Sequence, residues 1–434
     1  RARVMRRVRD HFVEHRTLLM ERLMVETGKV RGEALAEFSI MLETLQYYLS
    51  TGEASLSDVE VSPRLLKNKR GSIVYHPRGV VGIISPWNFP LAIFIGQIAA
   101  ALAAGNTVIA KPSTSTPIIA LRAIELFHKA GFPPKVLQFL PAPPPLLEST
   151  LLVDCKLGAV LFTGSTEAAS RINQLLANNK GPIIPFIAET GGQNAMIADS
   201  SALPEQIVKD AVISAFDSAG QRCSALRVLF LQEDMKSHIL ELMSGYIDEL
   251  VVGNPADWET DIGPVIDKKS LTALKQHVLR LKKKGRVLYQ KHMENNPKNG
   301  FYMAPAIIEL RHISELQGEV FGPVLHVISY RANDIERVLK EINSTGFGLT
   351  LGIHSRISGF VDKIVRGAKV GNVYINRNMI GATVGVQPFG GQRLSGTGPK
   401  AGGPHCGELS VPAIPKRTLH GSPHEGARPR LQLA

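Results

Sequence analysis

Residues 159–177 read AVLFTGSTEAASRINQLLA. Ala159 to Phe162 is a short apolar run with the length of a buried strand. Thr163-Gly164-Ser165-Thr166-Glu167 then turns the chain, and helical spacing resumes as far as Ala177. Strand, small-residue turn and helix is the repeating unit of an α/β fold with a parallel sheet. Free N–H groups at such a helix start, together with its dipole, favour an anion such as phosphate. The turn lacks the Gly-x-Gly-x-x-Gly spacing of a dinucleotide fingerprint, and a plain Ser N-cap explains the same residues equally well.

The alternation continues on both sides. From residue 1 to about 50, Val4, Val8, Phe12, Leu18, Leu19 and Leu23 recur at helical spacing among charges, which predicts amphipathic helices. Thr51 to Lys69 is polar and predicts a loop. Two apolar pieces between Ser72 and Ile84, joined by His76-Pro77-Arg78-Gly79, predict strands. Two prolines then frame Asn88 in Pro86-Trp87-Asn88-Phe89-Pro90, so a stiff loop at a strand end aims one amide. After a helix from Leu91 to Ala104, the strand Thr107 to Ala110 ends at Lys111-Pro112-Ser113. Open α/β sheets bind nucleotides at such strand ends, although a solvated lysine leaves the same signature.

A further unit runs through the helix Pro117 to Ala130 and the strand Val136 to Leu140, and Ala142 to Glu148 is proline-rich and carries no structural signal. The strand Pro185 to Ala188 ends at Glu189-Thr190-Gly191-Gly192, a carboxylate in a glycine loop or a simple surface turn. The strand Asn194 to Ile197 and the helix Ile207 to Ala219 lead to FDSAGQRCSALR, residues 216–227. Small neighbours leave the Cys223 thiol approachable, and Arg222 beside it would favour the thiolate that attacks carbonyls. The competing reading is a small buried hydrophobe. Downstream, Glu319 and Phe321 lie between glycines before a strand from Leu325 to Tyr330, and Ile375 to Gly398 is glycine-rich.

Bulk properties set limits. At 434 residues the chain has room for about two or three domains. A 44% hydrophobic and 20% charged composition is that of a globular protein, and three cysteines argue for a reducing compartment rather than a disulfide framework. No apolar run reaches the ~18–20 residues of a membrane span, and no signal peptide opens the chain. A start at Arg1 instead of Met suggests a fragment or processed product. The net charge of +12 is scattered without a nucleic-acid motif, so no nucleic-acid partner is expected; it suits an anionic cofactor and substrate. No metal is expected.

PWNFP, KPS, FTGST, ETGGQN, GQRCS, EVFGPV and QPFGG occur here in the order and near the spacings of the aldehyde dehydrogenase superfamily, which the chain resembles from residue 1 to about Pro404. IAETGGQNAMIADSSALPEQ, SAFDSAGQRCSALRVLFLQED and NRNMIGATVGVQPFGGQRLSGTGPKAGGP are most similar to its glutamate-γ-semialdehyde (Δ1-pyrroline-5-carboxylate) dehydrogenase branch, in particular the dehydrogenase module of bacterial proline utilization A. The resemblance implies a Rossmann-like NAD-binding domain over 1–190, with a helical amino-terminal part. It implies an α/β catalytic domain over 191–375 and a substrate loop and return segment over 376–404. The stretch 405–434 departs from the family and is expected to be disordered. The family's extreme amino-terminal part and any preceding proline dehydrogenase barrel are missing from this sequence.

The resemblance also implies roles. Cys223 is the nucleophile, Asn88 and the Cys223 N–H the oxyanion donors, and Glu189 the general base. NAD is expected to meet Trp87, Lys111, Ser113, Gly164, Ser165, Gly191, Glu319 and Phe321, with the choice against NADP open from sequence. Ser224 and the N–H groups of Gly381 and Ala382 would bind the substrate's α-carboxylate, with Phe216 and Phe389 boxing its chain; Phe216 also reads as a core residue. The expected setting is cytoplasmic, with the mitochondrial matrix as the alternative. The expected assembly is a homodimer or part of a larger bifunctional proline-oxidising enzyme, with a proline dehydrogenase partner. Alternatives are another short aldehyde as substrate, or an inactive truncated fragment.

Overall fold

The strand Leu157–Thr163 is buried along nearly all its length, so both its faces need cover. The computed structural model, which describes residues 1–61, 70–293, 297, 299–403, 406–410 and 413–420, supplies that cover. Ala159 and Leu161 enter one core with the helices Ala92–Ala103 and Pro117–Ala130, while Val160 and Phe162 enter another with Leu147, Leu152 and Ile172. Five parallel strands lie in the order Leu137–Phe139, Thr107–Lys111, Val80–Ile84, Leu157–Thr163, Phe186–Glu189. The chain starts in the middle, winds to one edge, then returns to build the other. The order therefore reverses between Val80–Ile84 and Leu157–Thr163, and ligands bind such sheets beyond the carboxyl ends at that point. Ser85, Lys111, Gly164 and Glu189 sit at those ends.

A second sheet runs Val287–Gln290, Ala306–Glu309, Val324–Tyr330, Val228–Gln232, Ala195–Ala198, Thr350–His354, Asn372–Ile375, parallel except for its first, antiparallel edge strand. The amino ends of its strands carry Asn194, Arg227 and the 319–323 segment. The α/β architecture thus sets carboxyl ends of one sheet against amino ends of the other, and the site forms in the gap.

The helices Ala2–Glu14, Arg16–Thr27 and Arg31–Ser55 bury Met5, Val8, Phe12, Leu19 and Leu23 against the first layer. Their junction has a further consequence. Lys29 and Glu37 form a buried ion pair, and Glu37 also accepts the N–H groups of Leu91 (2.9 Å) and Ala92 (3.1 Å). The Lys29 ammonium stands 3.6 Å over the Phe89 ring, so this pair positions the loop bearing Asn88.

Three stretches that the sequence left without regular structure carry short elements. The 51–69 loop begins as helix to Ser55 and then enters a strand, Val59–Val61, while 62–69 lies outside the described residues. The proline-rich 142–148 stretch forms the helix Pro144–Ser149, because proline at a helix start forfeits no hydrogen bond. Beyond 405, the helix Gly407–Ser410 and the strand Ala413–His420 are regular, the latter pairing antiparallel with Arg70–Pro77. Residues 421–434 lie outside the described residues.

Replacing Lys29 by Met strands a buried carboxylate. Lys29→Met should cost about 3–5 kcal/mol in urea denaturation. A loss below about 1 kcal/mol would show the pair acting like an exposed one.

Candidate active site

The helix Pro204–Phe216 ends in a turn that most residues avoid. Ser218, Ala219 and Gly220 follow one another in left-handed conformation, with φ of 55°, 52° and 68°. The Glu33 carboxylate accepts the Ser218 N–H and holds the turn. At Gly220 a Cβ would stand 2.2 Å from the Gly322 carbonyl oxygen, so only glycine fits. This turn delivers Cys223, half-buried, to the meeting point of two cavities. The Asn194 amide fixes it from below, donating to the carbonyls of Cys223 (2.6 Å) and Ala225 (3.0 Å).

The larger cavity measures about 1220 Å³. Trp87, Lys111, Ser113, Gly164, Ser165, Gly191, Glu319 and Phe321 all line it, drawn from both sheets. Lys111 is buried, which lowers its pKa, and makes no ion pair among the described residues. Ser165 Oγ accepts the Ala168 N–H at 3.2 Å and so caps the helix Thr166–Asn178, making the N-cap reading correct at an anion-ready helix start. Gly191 gives room to Glu319: a Cβ there would stand 1.7 Å from its Oε2. Phe321 packs edge-on against Trp87 at 5.6 Å. An unpaired buried cation, a helix start and a glycine cradle fit a dinucleotide.

The smaller cavity, about 140 Å³, is lined by Ser224, Gly381, Ala382 and Phe389. The N–H groups of Gly381 and Ala382 make no hydrogen bond among the described residues. Phe216 lines neither cavity. It is 1% exposed in the core of the second sheet, because it ends the helix on the side facing that sheet. The aromatic wall comes instead from Phe89, ringed by Lys29 and, at 5.4 Å, by the Arg222 guanidinium.

Around Cys223, burial pushes the thiol well above its usual range, and the Glu189 carboxylate beside it adds to this. Arg222 does not supply the expected counter-charge. Its Nε donates to Ser218 Oγ at 3.2 Å and its Nη2 lies 4.0 Å from Asp217. The Cys223 thiol is therefore neutral at rest, with a carboxylate beside it. Glu189 is fully buried, and burial raises its pKa. The Asn88 amide donates to the Gln221 carbonyl at 3.2 Å and lines the larger cavity along with Cys223. The arrangement can add a thiol to an electrophile and take up the released proton.

Sequence reasoning missed Arg227 and Lys400. Arg227 binds Glu319 Oε1 at 3.0 Å, and burial still raises the Glu319 carboxyl to about 7. Lys400 lies 3.8 Å from Glu189 Oε2. The available signal was a lone cation beside an otherwise apolar run, as in Leu226-Arg227-Val228.

Residues 1–409 match the model described as the aldehyde dehydrogenase family. The chain belongs to the aldehyde dehydrogenase family. It is 48% identical over 394 residues to the bifunctional protein PutA of Klebsiella aerogenes, covering 89% of this chain but only 29% of that relative. It is 36% identical over 389 residues to the 1-pyrroline-5-carboxylate dehydrogenase of Bacillus cereus (strain ATCC 10987 / NRS 248), covering 88% of this chain and 74% of that protein. The crystal structure of 1-pyrroline-5-carboxylate dehydrogenase from Thermus with bound NAD superposes with a TM-score of 0.89 at 32% identity, over 97% of this chain and 81% of that one. Among the described residues of this family member, no cluster of three or more His, Cys, Asp or Glu could hold a metal, and no helix is long and apolar enough to cross a membrane.

A raised thiol pKa makes Cys223 slow to alkylate. At pH 7, iodoacetamide should modify exposed Cys155 before Cys223, with Cys223 catching up only at a pH well above the ordinary thiol range. Peptide mass mapping reads this directly, and faster labelling of Cys223 at pH 7 would contradict it.

Proposed function

We propose that this chain oxidises L-glutamate γ-semialdehyde, the open form of Δ1-pyrroline-5-carboxylate, to L-glutamate with NAD. One observation carries the reading: Cys223 stands where a dinucleotide-sized cavity meets a small pocket with two unpaired loop amides and the Ser224 hydroxyl. Hydroxyl and backbone N–H groups make an anion nest suited to an α-carboxylate. The similarity to 1-pyrroline-5-carboxylate dehydrogenases supports the same substrate.

In this mechanism Cys223 Sγ bonds to the aldehyde carbon as its proton passes to Glu189. The carbonyl oxygen becomes an oxyanion facing the Asn88 amide and the Cys223 N–H. NAD, when bound in the larger cavity, supplies the hydride acceptor. Lys111, Ser165 and Glu319 are placed to hold it, with Phe321 and Trp87 packing alongside. Loss of hydride leaves a thioester on Cys223. Glu189 releases that first proton to solvent and then takes one from water as the hydroxide adds to the thioester carbon; the tetrahedral centre collapses with cleavage of its bond to sulfur, Cys223 recovers a proton from Glu189, and L-glutamate departs. Phe89 and Phe389 wall the aliphatic chain. A reducing, cytoplasmic setting suits a thiol that must stay free. The assembly that goes with this reading is a homodimer or part of a bifunctional proline-oxidising protein, and the similarity to PutA supports the latter.

Cys223→Ala should abolish NADH formation from this substrate, followed at 340 nm. Asn88→Ala should lower turnover by about 10²–10³. Ser224→Ala should raise KM for glutamate semialdehyde more than for an aliphatic aldehyde of the same length. Equal changes for both aldehydes would remove the carboxylate role.

A further inference from the structure

Lys400 is 3% exposed, deep behind Glu189. Its ammonium donates to Thr163 Oγ1 at 2.7 Å and lies 3.8 Å from Glu189 Oε2 and 3.6 Å from Glu408 Oε1. Thr163 Oγ1 is itself held by Gln97 Nε2 at 3.3 Å. Glu408 accepts the Tyr48 hydroxyl at 2.6 Å, beside Cys406. Neither Glu189 oxygen has a hydrogen-bond partner, and Lys400 is the only cation within ion-pair distance of it among the described residues. The other groups around Glu189 are Cys223 in front, Glu319 across the larger cavity and Arg222 on the wall of the smaller one.

A buried carboxylate with one nearby cation depends on that cation for its charged form. We propose that Lys400 is the positioning residue of the general base: anchored on Thr163, its ammonium aims the Glu189 carboxylate at Cys223 and divides its charge between Glu189 and Glu408. The inference rests on Glu189 acting as the base. It also accounts for the second carboxylate. When Glu189 is protonated, Lys400 still has Glu408 as partner, so no step leaves a buried ammonium alone. When Glu189 is ionised, Glu408 opposes it, as the like-charge effect on Glu189 shows.

The two neighbours therefore act in opposite directions, which a purely structural role does not produce. Steady-state NADH formation is measured against pH for Lys400→Met, Lys400→Arg and Glu408→Gln, with the pre-steady-state NADH burst as the readout of steps before thioester hydrolysis. Lys400→Met should move the acid limb of the turnover profile up by about one pH unit or more. Lys400→Arg should restore it, and Glu408→Gln should move it down. Loss of rate in all three with an unmoved limb overturns the proposal. If Lys400→Met does not fold, by circular dichroism, the opposite shift in Glu408→Gln and the retained limb in Lys400→Arg decide. Glu189→Gln separates the two levels: full turnover in that variant removes the base itself, whereas lost turnover with an unmoved limb in Lys400→Met removes only the role of Lys400.

Discussion

Arg227 carries a guanidinium with 1% exposure beneath the Cys223 turn, and the site depends on where that charge is satisfied. Its Nη1 donates to the Gly220 carbonyl at 2.7 Å and its Nη2 to the Arg222 carbonyl at 2.9 Å. The same Nη2 meets Glu319 Oε1 at 3.0 Å, and the guanidinium lies 5.1 Å over Phe321. One buried charge thus ties the Cys223 loop to the carboxylate and ring that face the dinucleotide-sized cavity. Burying it is tolerable only because carbonyls and a carboxylate converge on it, and removing either side would leave an uncompensated ion. Its backbone precedes Val228–Gln232, a strand paired on both sides, which gives the arginine a rigid base.

The same logic repeats behind Cys223. Glu189 is a buried carboxylate and Glu319 a partly buried one; both have raised pKa values, and each stands against one buried cation, Lys400 and Arg227. Desolvation wants them neutral, and the cations oppose it. The thiol between them is pushed up and stays protonated at rest. Such a site keeps its reactive groups quiet in the absence of ligand, in line with pKa tuning at reactive centres. The strain of three successive left-handed residues sits in the loop that presents the thiol, where the surrounding packing over-determines it.

Local chemistry was readable from the chain. A proline-framed Asn88, a strand-end Lys111, the glycines around Glu189 and the small neighbours of Cys223 each declare their backbone without outside help. Together, in their order, they indicated an α/β architecture of the aldehyde dehydrogenase type, and the two largely parallel sheets agree with that architecture. Where the reading went astray, the deciding contact was distant. Arg222 adjoins Cys223 in sequence, yet it turns to Ser218, Asp217 and Phe89. Phe216 shares the Cys223 motif yet faces the core, while Phe89, over a hundred residues earlier, walls the small pocket. Glu408, which the sequence placed beyond the family likeness, falls inside the family match at 1–409 and is buried on Tyr48 and Lys400.

The sequence by itself therefore determined the strand-and-helix alternation and the stiff or glycine-rich loops at strand ends, since these follow from propensity and turn chemistry within a few residues. Only the tertiary structure decided which charges meet. Glu189 with Lys400, Glu319 with Arg227 and Glu37 with Lys29 are pairings made by packing, and a residue's partner in a low-dielectric interior is set by which elements come together, not by what stands next to it in the chain.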